Sequence, residues 1–424
     1  MPRFSARGVV IATTSLLLAC GFVTQGLPAP WQITAAAAGS RPTSGDGQLA
    51  IASLVPETGP LASLLDSLRV PAELAIDEIN AAGGVNGQPV SYTRGDEGAD
   101  GTTAQAAVTS FINGGVDAIV GPASPATALD VLGIVRTAHV MMCSGSDTLA
   151  PVTARSTDGF YFRTAPGPSL QGRALAKLVR ADGHRRVAVL RAKGFFGNAL
   201  VQGLRAQGAR VVADVSYNPA NADVDAKVRL ALRGKPQAIV VVGFDDDAAA
   251  IVAGLIARGA GPDEVSIYGP DTLQSLGFVA AVDPTDPTAV AGISGTAPAI
   301  APPPGDPASP FLGVLTNQAI DPVFSAHVYD CTILIALAAV KAESDDPDEM
   351  KVAFAKNLRG KTDCNTFATC SALLERGRSI HWRGASSRFD HFDGLAPGDA
   401  VYDVWAYDDF GHLIAGEPAT VSVP

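Results

Sequence analysis

The sequence predicts an α/β protein built from two doubly wound parallel-sheet lobes, and three observations carry that prediction. At 424 residues the chain exceeds the ~100–200 residues of a typical domain, so it holds two or three. From Gln48 onward, short apolar runs alternate with helical patterns of about ten to fifteen residues, which indicates βαβ units and parallel sheets. The alternation falls into two series, divided near Phe162–Pro168.

Leu49–Val55 reads as the first strand, followed by the turn Thr58-Gly59-Pro60. Ala72, Ala75, Ile76 and Ile79 recur at helical spacing, and Gly83-Gly84 ends that helix. Val90–Arg94 is a second strand, Ala104–Ile112 a helix, and Asp117–Val120 a buried strand closed by Gly121-Pro122. A helix through Leu129–Thr137 leads to a strand at Val140–Met142. The second series sets helices at Leu170–Ala181, Asn198–Gln207, Val224–Arg233 and Ala248–Arg258. Its strands are Arg186–Leu190, Arg210–Val215, Ala238–Val242 and Val265–Tyr268. The Pro-rich stretch Ala297–Pro310 reads as an irregular crossing or surface loop. Val323–Lys341 and Pro347–Leu358 are helices, and short strands fill the tail to Pro424. The most apolar helix candidate, Cys331–Val340, falls short of the ~20 residues a bilayer span needs and belongs in a core.

Composition narrows the function. Lys and Arg total 31 against 42 Asp and Glu, a net charge of −11, which argues against a nucleic-acid partner. A 47% hydrophobic share excludes intrinsic disorder. At the start, Arg3 and Arg7 precede the apolar run Val9–Ala19, the pattern of a secretory signal. Leu17-Leu18-Ala19-Cys20 resembles a bacterial lipobox, although Leu18 stands where a smaller residue is usual. Residues 1–19 thus read as a signal peptide, Cys20 as the lipidated first residue, and 20–47 as a flexible tether. Ordinary cleavage within Ala35–Ala38 is the alternative, leaving a soluble chain; either way the chain is exported.

Enzyme signatures are missing. Gly360-Lys361-Thr362 ends like a phosphate loop, but Ala355 stands where that pattern needs Gly. Gly259-Ala260-Gly261 lacks the third glycine of a dinucleotide fingerprint. There is no G-x-S-x-G elbow and no H-E-x-x-H helix, and the six histidines are scattered. No catalytic residue, metal site or cofactor is expected. Cys364 and Cys370 lie close enough in an oxidising compartment to form a disulfide. Cys143 and Cys331 sit in apolar settings and read as buried free thiols, with a second bridge the unsupported alternative.

The residues that follow the strands are where a parallel sheet binds ligands, because loops there offer backbone N–H groups and helix N-termini. Four strand ends carry such residues: Gly121-Pro122-Ala123-Ser124, Cys143-Ser144-Gly145-Ser146, Gly243-Phe244-Asp245 and Gly269-Pro270-Asp271. Hydroxyls and amides on one lobe can hold a carboxylate, and an acid on the other can hold an ammonium, as a free α-amino acid requires. The bland reading of each residue stands beside this one. Ser124 and Ser146 suit helix N-caps, Asp271 a turn, and Phe196 and Phe244 a core. The run Asp245-Asp246-Asp247 is ordinarily a solvated helix start.

In these stretches the chain resembles the leucine/isoleucine/valine-binding proteins, the type I solute receptors of ABC importers, from about Leu49 to the C-terminus. The matching stretches are Thr58-Gly59-Pro60, Ala72–Gly84 with Val85-Asn86-Gly87, and Val120-Gly121-Pro122. Phe162-Arg163-Thr164, Phe196-Gly197 and Tyr268-Gly269-Pro270-Asp271 continue them in order. The tail from Cys364-Asn365-Thr366-Phe367 and Cys370 to Gly377 resembles exported actinobacterial members. The resemblance implies two lobes joined by a three-crossing hinge, roughly 48–165 with 297–385, and 166–296 with 386–424. It implies that Ser144 and Ser146, with the Gly145 backbone, grip an α-carboxylate and help hold the ammonium. Phe196 matches a position that is usually Tyr, Phe244 a second cleft aromatic, Asp271 the acid that pairs with the ligand ammonium, and Leu64 a side-chain contact. A ligand-binding Ser usually stands four residues after the Gly of the Gly-Pro loop; Pro125 is there, and Ser124 comes one residue early.

The expectation is an exported, lipid-anchored receptor, on the outer face of the cytoplasmic membrane, for a branched-chain amino acid or a related small amino-acid or amide solute held between the lobes. It is not an enzyme, and its partners are an ABC permease and its ATPase, with the membrane reached through Cys20. A ligand sensor without transport, a secreted hydrolase using Ser144 or Cys143, and a surface scaffold are the alternatives.

Overall fold

Ile51 and Val55 point into one apolar cluster, while Ala52 and Leu54 point into another on the opposite face of the same strand. A strand that is apolar on both faces must be covered on both, and that requirement shapes each half of the molecule. The computed structural model describes residues 45–148, 156–221, 223–300, 311 and 323–424. The expected leader, Cys20, nearly all of the tether and most of the Pro-rich stretch lie outside the described residues.

The first sheet contains β1 (Ala50–Val55), β2 (Ser91–Asp96), β3 (Ala118–Val120), β4 (Met141–Ser144) and β5 (Tyr161–Arg163). They run in the order β2-β1-β3-β4-β5, and every neighbouring pair is parallel. Parallel neighbours need crossovers, which α1 (Leu65–Ala81), α2 (Gly101–Asn113) and α3 (Pro125–Ala138) supply. α2 and α3 cover one face through Ala104, Val108, Phe111, Val131 and Val135. α1 covers the other with its buried row Ala72, Ala75, Ile76 and Ile79, beside α9 (Ser325–Ala342). α9 is long and apolar enough to cross a membrane, but 89% of it is buried inside the protein, so it is the central helix of this core.

The second sheet joins β6 (Arg186–Ala192), β7 (Arg210–Tyr217), β8 (Ala238–Val242), β9 (Ser266–Pro270), β10 (Ser294–Pro298), β13 (Ala400–Tyr407) and β14 (Leu413–Val423). Its order is β14-β13-β10-β9-β8-β6-β7. The five central and far strands are parallel, but β13 and β14 return antiparallel, so this sheet is mixed and not wholly parallel. α4 (Pro168–Ala181) and α5 (Phe195–Ala206) pack on the face of Val187 and Val189. α6 (Val224–Arg233), α7 (Asp245–Ile256) and α8 (Leu276–Val282) belong with the other face, that of Ala188 and Leu190. A small parallel pair, β11 (Thr362–Cys364) with β12 (Ile380–Trp382), accompanies α10 (Pro347–Lys356) and α11 (Phe367–Glu375) beside the first core.

Several expectations shift. The division expected at Phe162–Pro168 begins with β5, because Tyr161 and Phe162 fill the two faces of the first sheet. Ala297 and Pro298, expected in an irregular crossing, end β10, and Ala297 packs in the second lobe. Phe389 and Phe392 pack in the first core and Leu395 and Ala396 on its other face. The chain therefore leaves the second sheet after Pro298 and returns to it after Ala396, later than 296 and 385.

The cysteines also differ from expectation. Cys364 and Cys370 are disulfide-bonded, and so are Cys143 and Cys331, which had read as free thiols. The latter pair spans 188 residues, yet β4 lies against α9 and brings the Cα atoms within 5.7 Å. No local pattern signals such a contact.

Candidate functional site

Parallel strands in one sheet end at one edge, so the carboxyl ends of β1–β5 form one rim and those of β6, β8, β9 and β10 another. At the first rim the turn after β3 passes through Gly121, whose φ of +119° only glycine adopts freely and whose Cβ would meet the Leu54 carbonyl at 2.1 Å. Ser124 caps α3, its hydroxyl accepting the Thr127 N–H at 3.4 Å. The amides of this turn are already engaged. Glu97, fully buried at the end of β2, accepts the N–H of Ala123 at 2.6 Å and of Ser124 at 3.0 Å. Burial pushes its carboxyl up, and these bonds hold the rise in check. An internal carboxylate thus fills the anion cradle that this turn would otherwise offer to a ligand.

The turn after β4 carries the expected Ser144, Gly145 and Ser146. Ser144 is fully buried, and its hydroxyl donates to the Pro122 carbonyl at 2.6 Å while accepting the N–H of Asp147 at 2.8 Å. That oxygen ties two rim turns together. Gly145 lies under α9: a Cβ there would stand 2.6 Å from the Val328 nitrogen. Ser146 is half-buried, and its hydroxyl makes no hydrogen bond among the described residues. Leu64 is half-buried against the first core.

At the second rim Asp271 follows β9. It is half-buried, and Gln171 from the first turn of α4 donates to its Oδ1 at 2.6 Å and to the Thr296 carbonyl at 2.8 Å. Burial raises the Asp271 carboxyl, the Gln171 bond working against it. No cation pairs with Asp271 among the described residues. The buried Tyr402 hydroxyl feels this charge, and burial with Asp271 drives its pKa well above the usual phenol range. The hydroxyls of Tyr402 and Thr296 are buried and without a hydrogen bond among the described residues.

Aromatic residues lie on the same rim. Phe244 follows β8 and is 59% exposed, and Phe195 follows β6 at 50%. Phe196, the expected contact, is half-buried against the second-lobe core. The Asp247 carboxylate accepts the Phe244 N–H at 3.1 Å and the Tyr217 hydroxyl at 2.7 Å, fixing the start of α7. Sequence reading missed Glu97, Gln171 and Phe195. For Gln171 a signal existed, a polar residue on the buried face of α4 between Leu170 and Ala174. Among the described residues no group of three or more His, Cys, Asp and Glu side chains could hold a metal.

Two separate sheets with parallel cores, each covered by helices on both faces, and a half-buried acid at the end of β9 define the architecture of a two-lobed binding protein. Residues 48–378 match the family model of the periplasmic binding proteins, and the chain belongs to that family. The leucine-, isoleucine-, valine-, threonine- and alanine-binding protein of Pseudomonas aeruginosa is 26% identical over 319 residues, 72% of this chain and 82% of that one. A substrate-binding protein of a chemotactic signal transduction system from Halobacterium salinarum is 26% identical over 362 residues, 82% and 84% of the two chains. A Leu/Ile/Val-binding protein of Rhizobium johnstonii is 28% identical over 201 residues, 46% of this chain and only about half, 54%, of that relative. Among solved structures, the Streptococcus pneumoniae branched-chain amino acid transporter substrate-binding protein, in complex with isoleucine, superposes with a TM-score of 0.65 at 21% identity. It covers 89% of this chain and 99% of that one, and the likeness is one of fold.

Proposed function

We propose that the chain is the extracytoplasmic receptor of an importer, capturing a small amino-acid-like or amide solute between its lobes and delivering it to a permease with its ATPase. Its relatives' names, which refer to branched-chain amino acids, support the class. The observation that carries the ligand chemistry is Asp271, a half-buried carboxylate at a strand end whose described partner is a neutral amide. Among the described residues its charge is without a counter-ion, and a ligand ammonium would supply one, lowering the raised carboxyl again. On the first lobe the free Ser146 hydroxyl and the Gly145 backbone are the groups for the opposite end of the ligand. Phe244 and Phe195 offer apolar surface for its side chain. Lobe segments of roughly 48–165 and 166–298, each completed from the C-terminal half, and a lipid anchor on Cys20 belong to the same proposal.

Titration calorimetry with branched-chain, aromatic, basic and acidic amino acids, amides and short polyamines tests it. Saturable binding of an amine-bearing solute should weaken by about 30-fold or more in Asp271→Asn, the ~2–5 kcal/mol attached to a buried charge pair. Binding unchanged by that substitution sinks the site, and silence across the panel on ligand-stripped protein sinks the solute class. A sensing role is the second reading, favoured by the likeness to the chemotactic relative. Loss of solute uptake on deleting the gene supports transport; loss of a response with uptake intact supports sensing.

A further inference from the structure

The second sheet has another edge, the amino ends of its parallel strands, on the side of the lobe away from the solute cleft. Arg185 and Arg186 lead into β6, Arg210 opens β7, and α4 runs out through Arg180 toward His184. These five basic residues line one concavity of about 600 Å³, floored by Ala176, Val179 and Ala209. Among the described residues no carboxylate lines it.

The arginines are not spent on ion pairs. Among the described residues the side chains of Arg185 and Arg210 make no hydrogen bond. Arg180 reaches only the Gln207 carbonyl at 2.8 Å, and Arg186 only the carbonyls of Lys235 and Gly234. Elsewhere in the same lobe Arg191, Arg205, Arg229 and Arg258 each lie against an aspartate. Of the acids at this end, Asp182 accepts the Tyr268 hydroxyl, and Glu264 lines the adjoining concavity with His184 and Lys235. Four guanidinium groups gathered around one hollow repel one another, and in a chain of net charge −11 nothing in bulk composition calls for such a gathering. A multivalent anion relieves the repulsion, and the planar guanidinium fork matches phosphate oxygens two at a time.

We propose that this concavity is an anion site that takes a phosphate-bearing group, separate from the solute cleft. The phosphate can come from a soluble oligophosphate or from the headgroups of an anionic lipid surface. The test uses the full, unlipidated chain and two probes: inorganic tripolyphosphate by calorimetry, and vesicles of phosphatidylglycerol against phosphatidylcholine by co-sedimentation. Tripolyphosphate should bind saturably at low salt and weaken at least tenfold in Arg185→Gln/Arg210→Gln, whose side chains are unbonded, so thermal unfolding should be unchanged. Arg229→Gln/Arg258→Gln, on the same lobe, should leave the binding as it is. Vesicle binding that needs phosphatidylglycerol and disappears in the first variant assigns a lipid headgroup; tripolyphosphate binding without vesicle binding assigns a soluble phosphate. Absence of both, or equal loss in the two double variants, overturns the proposal.

Discussion

Replacing Cys143 and Cys331 together by Ala removes a cross-link that spans 188 residues, and the chain-entropy relation gives the size of the effect. A closed loop of that length restricts the unfolded chain by ~5 kcal/mol at 25 °C. The loop contains most of the second lobe, residues 166–298, whose strands β6–β10 hold one another independently of the first sheet. If the first lobe unfolds while the second stays folded, the effective loop shrinks to roughly 55 residues, and the contribution to roughly 4 kcal/mol. Removing Cys364 and Cys370 instead opens a loop of only 6 residues, worth about 2 kcal/mol. Urea unfolding followed by circular dichroism on the parent and the two double variants measures both. The long-range pair should cost about twice the short one or more. Thiol titration of the denatured, unreduced and unlipidated full chain should report Cys20 and no other cysteine. A Cys143→Ala/Cys331→Ala variant within about 1 kcal/mol of the parent would refute the reasoning, as would free thiols at 143 and 331.

Stability should fall as pH rises from 5 to 8. Burial, with Asp345, Asp46 and Asp346 nearby, pushes the Asp117 carboxyl up to about 7, and burial pushes Asp330 up to about 6. Both are raised above their unfolded values, so the folded state holds the extra protons between about pH 4 and 7, and stability is lost as pH climbs through that window. Two pH units for Asp117 and one for Asp330 sum to roughly 2–4 kcal/mol, readable as a lower urea midpoint at pH 8 than at pH 5; a flat profile contradicts it. Gly145→Ala places a Cβ about 2.6 Å from the Val328 nitrogen, so the turn after β4 must move. We expect a loss of about 1–3 kcal/mol in denaturant titrations together with weakened solute binding. Asp330→Leu strands the N–H donors of Trp382, Ala385 and Ser386, which now point at one carboxylate at 2.8–3.1 Å. That variant should be less stable by about 3–5 kcal/mol, and a midpoint unchanged from the parent would show that these donors find other partners.

Local periodicity made most of the framework legible. Alternating apolar runs and helical rows placed β1–β4, α2–α7 and β6–β9 to within about four residues, while α1 starts seven residues before its apolar row, because each such element depends on which of its own side chains face a core. Strand-end loops were legible too, since a parallel sheet sends its ligand-binding turns to one edge whatever the sequence between. What a side chain at those turns does was not. Ser144 reads as a ligand contact in sequence but spends its hydroxyl on Pro122 and Asp147. Glu97 carries no signal in sequence, yet it fills the amides after β3. In each case the partner comes from a different turn or strand, and only the packed sheet edge sets the distance.

The sequence by itself determined the α/β class, the two series of crossovers, and the placement of an acid, Asp271, at a strand end, all of which depend on spacing within a few turns of chain. Only the tertiary structure decided which groups meet across long separations: Cys143 with Cys331, Gln171 with Asp271 and Thr296, and the arginines of three strand and helix ends around one hollow. The reason is physical. Secondary structure answers to the period of neighbouring residues, whereas a hydrogen bond, a disulfide or a charge cluster answers to a distance that exists only once the sheets are closed and their helices packed.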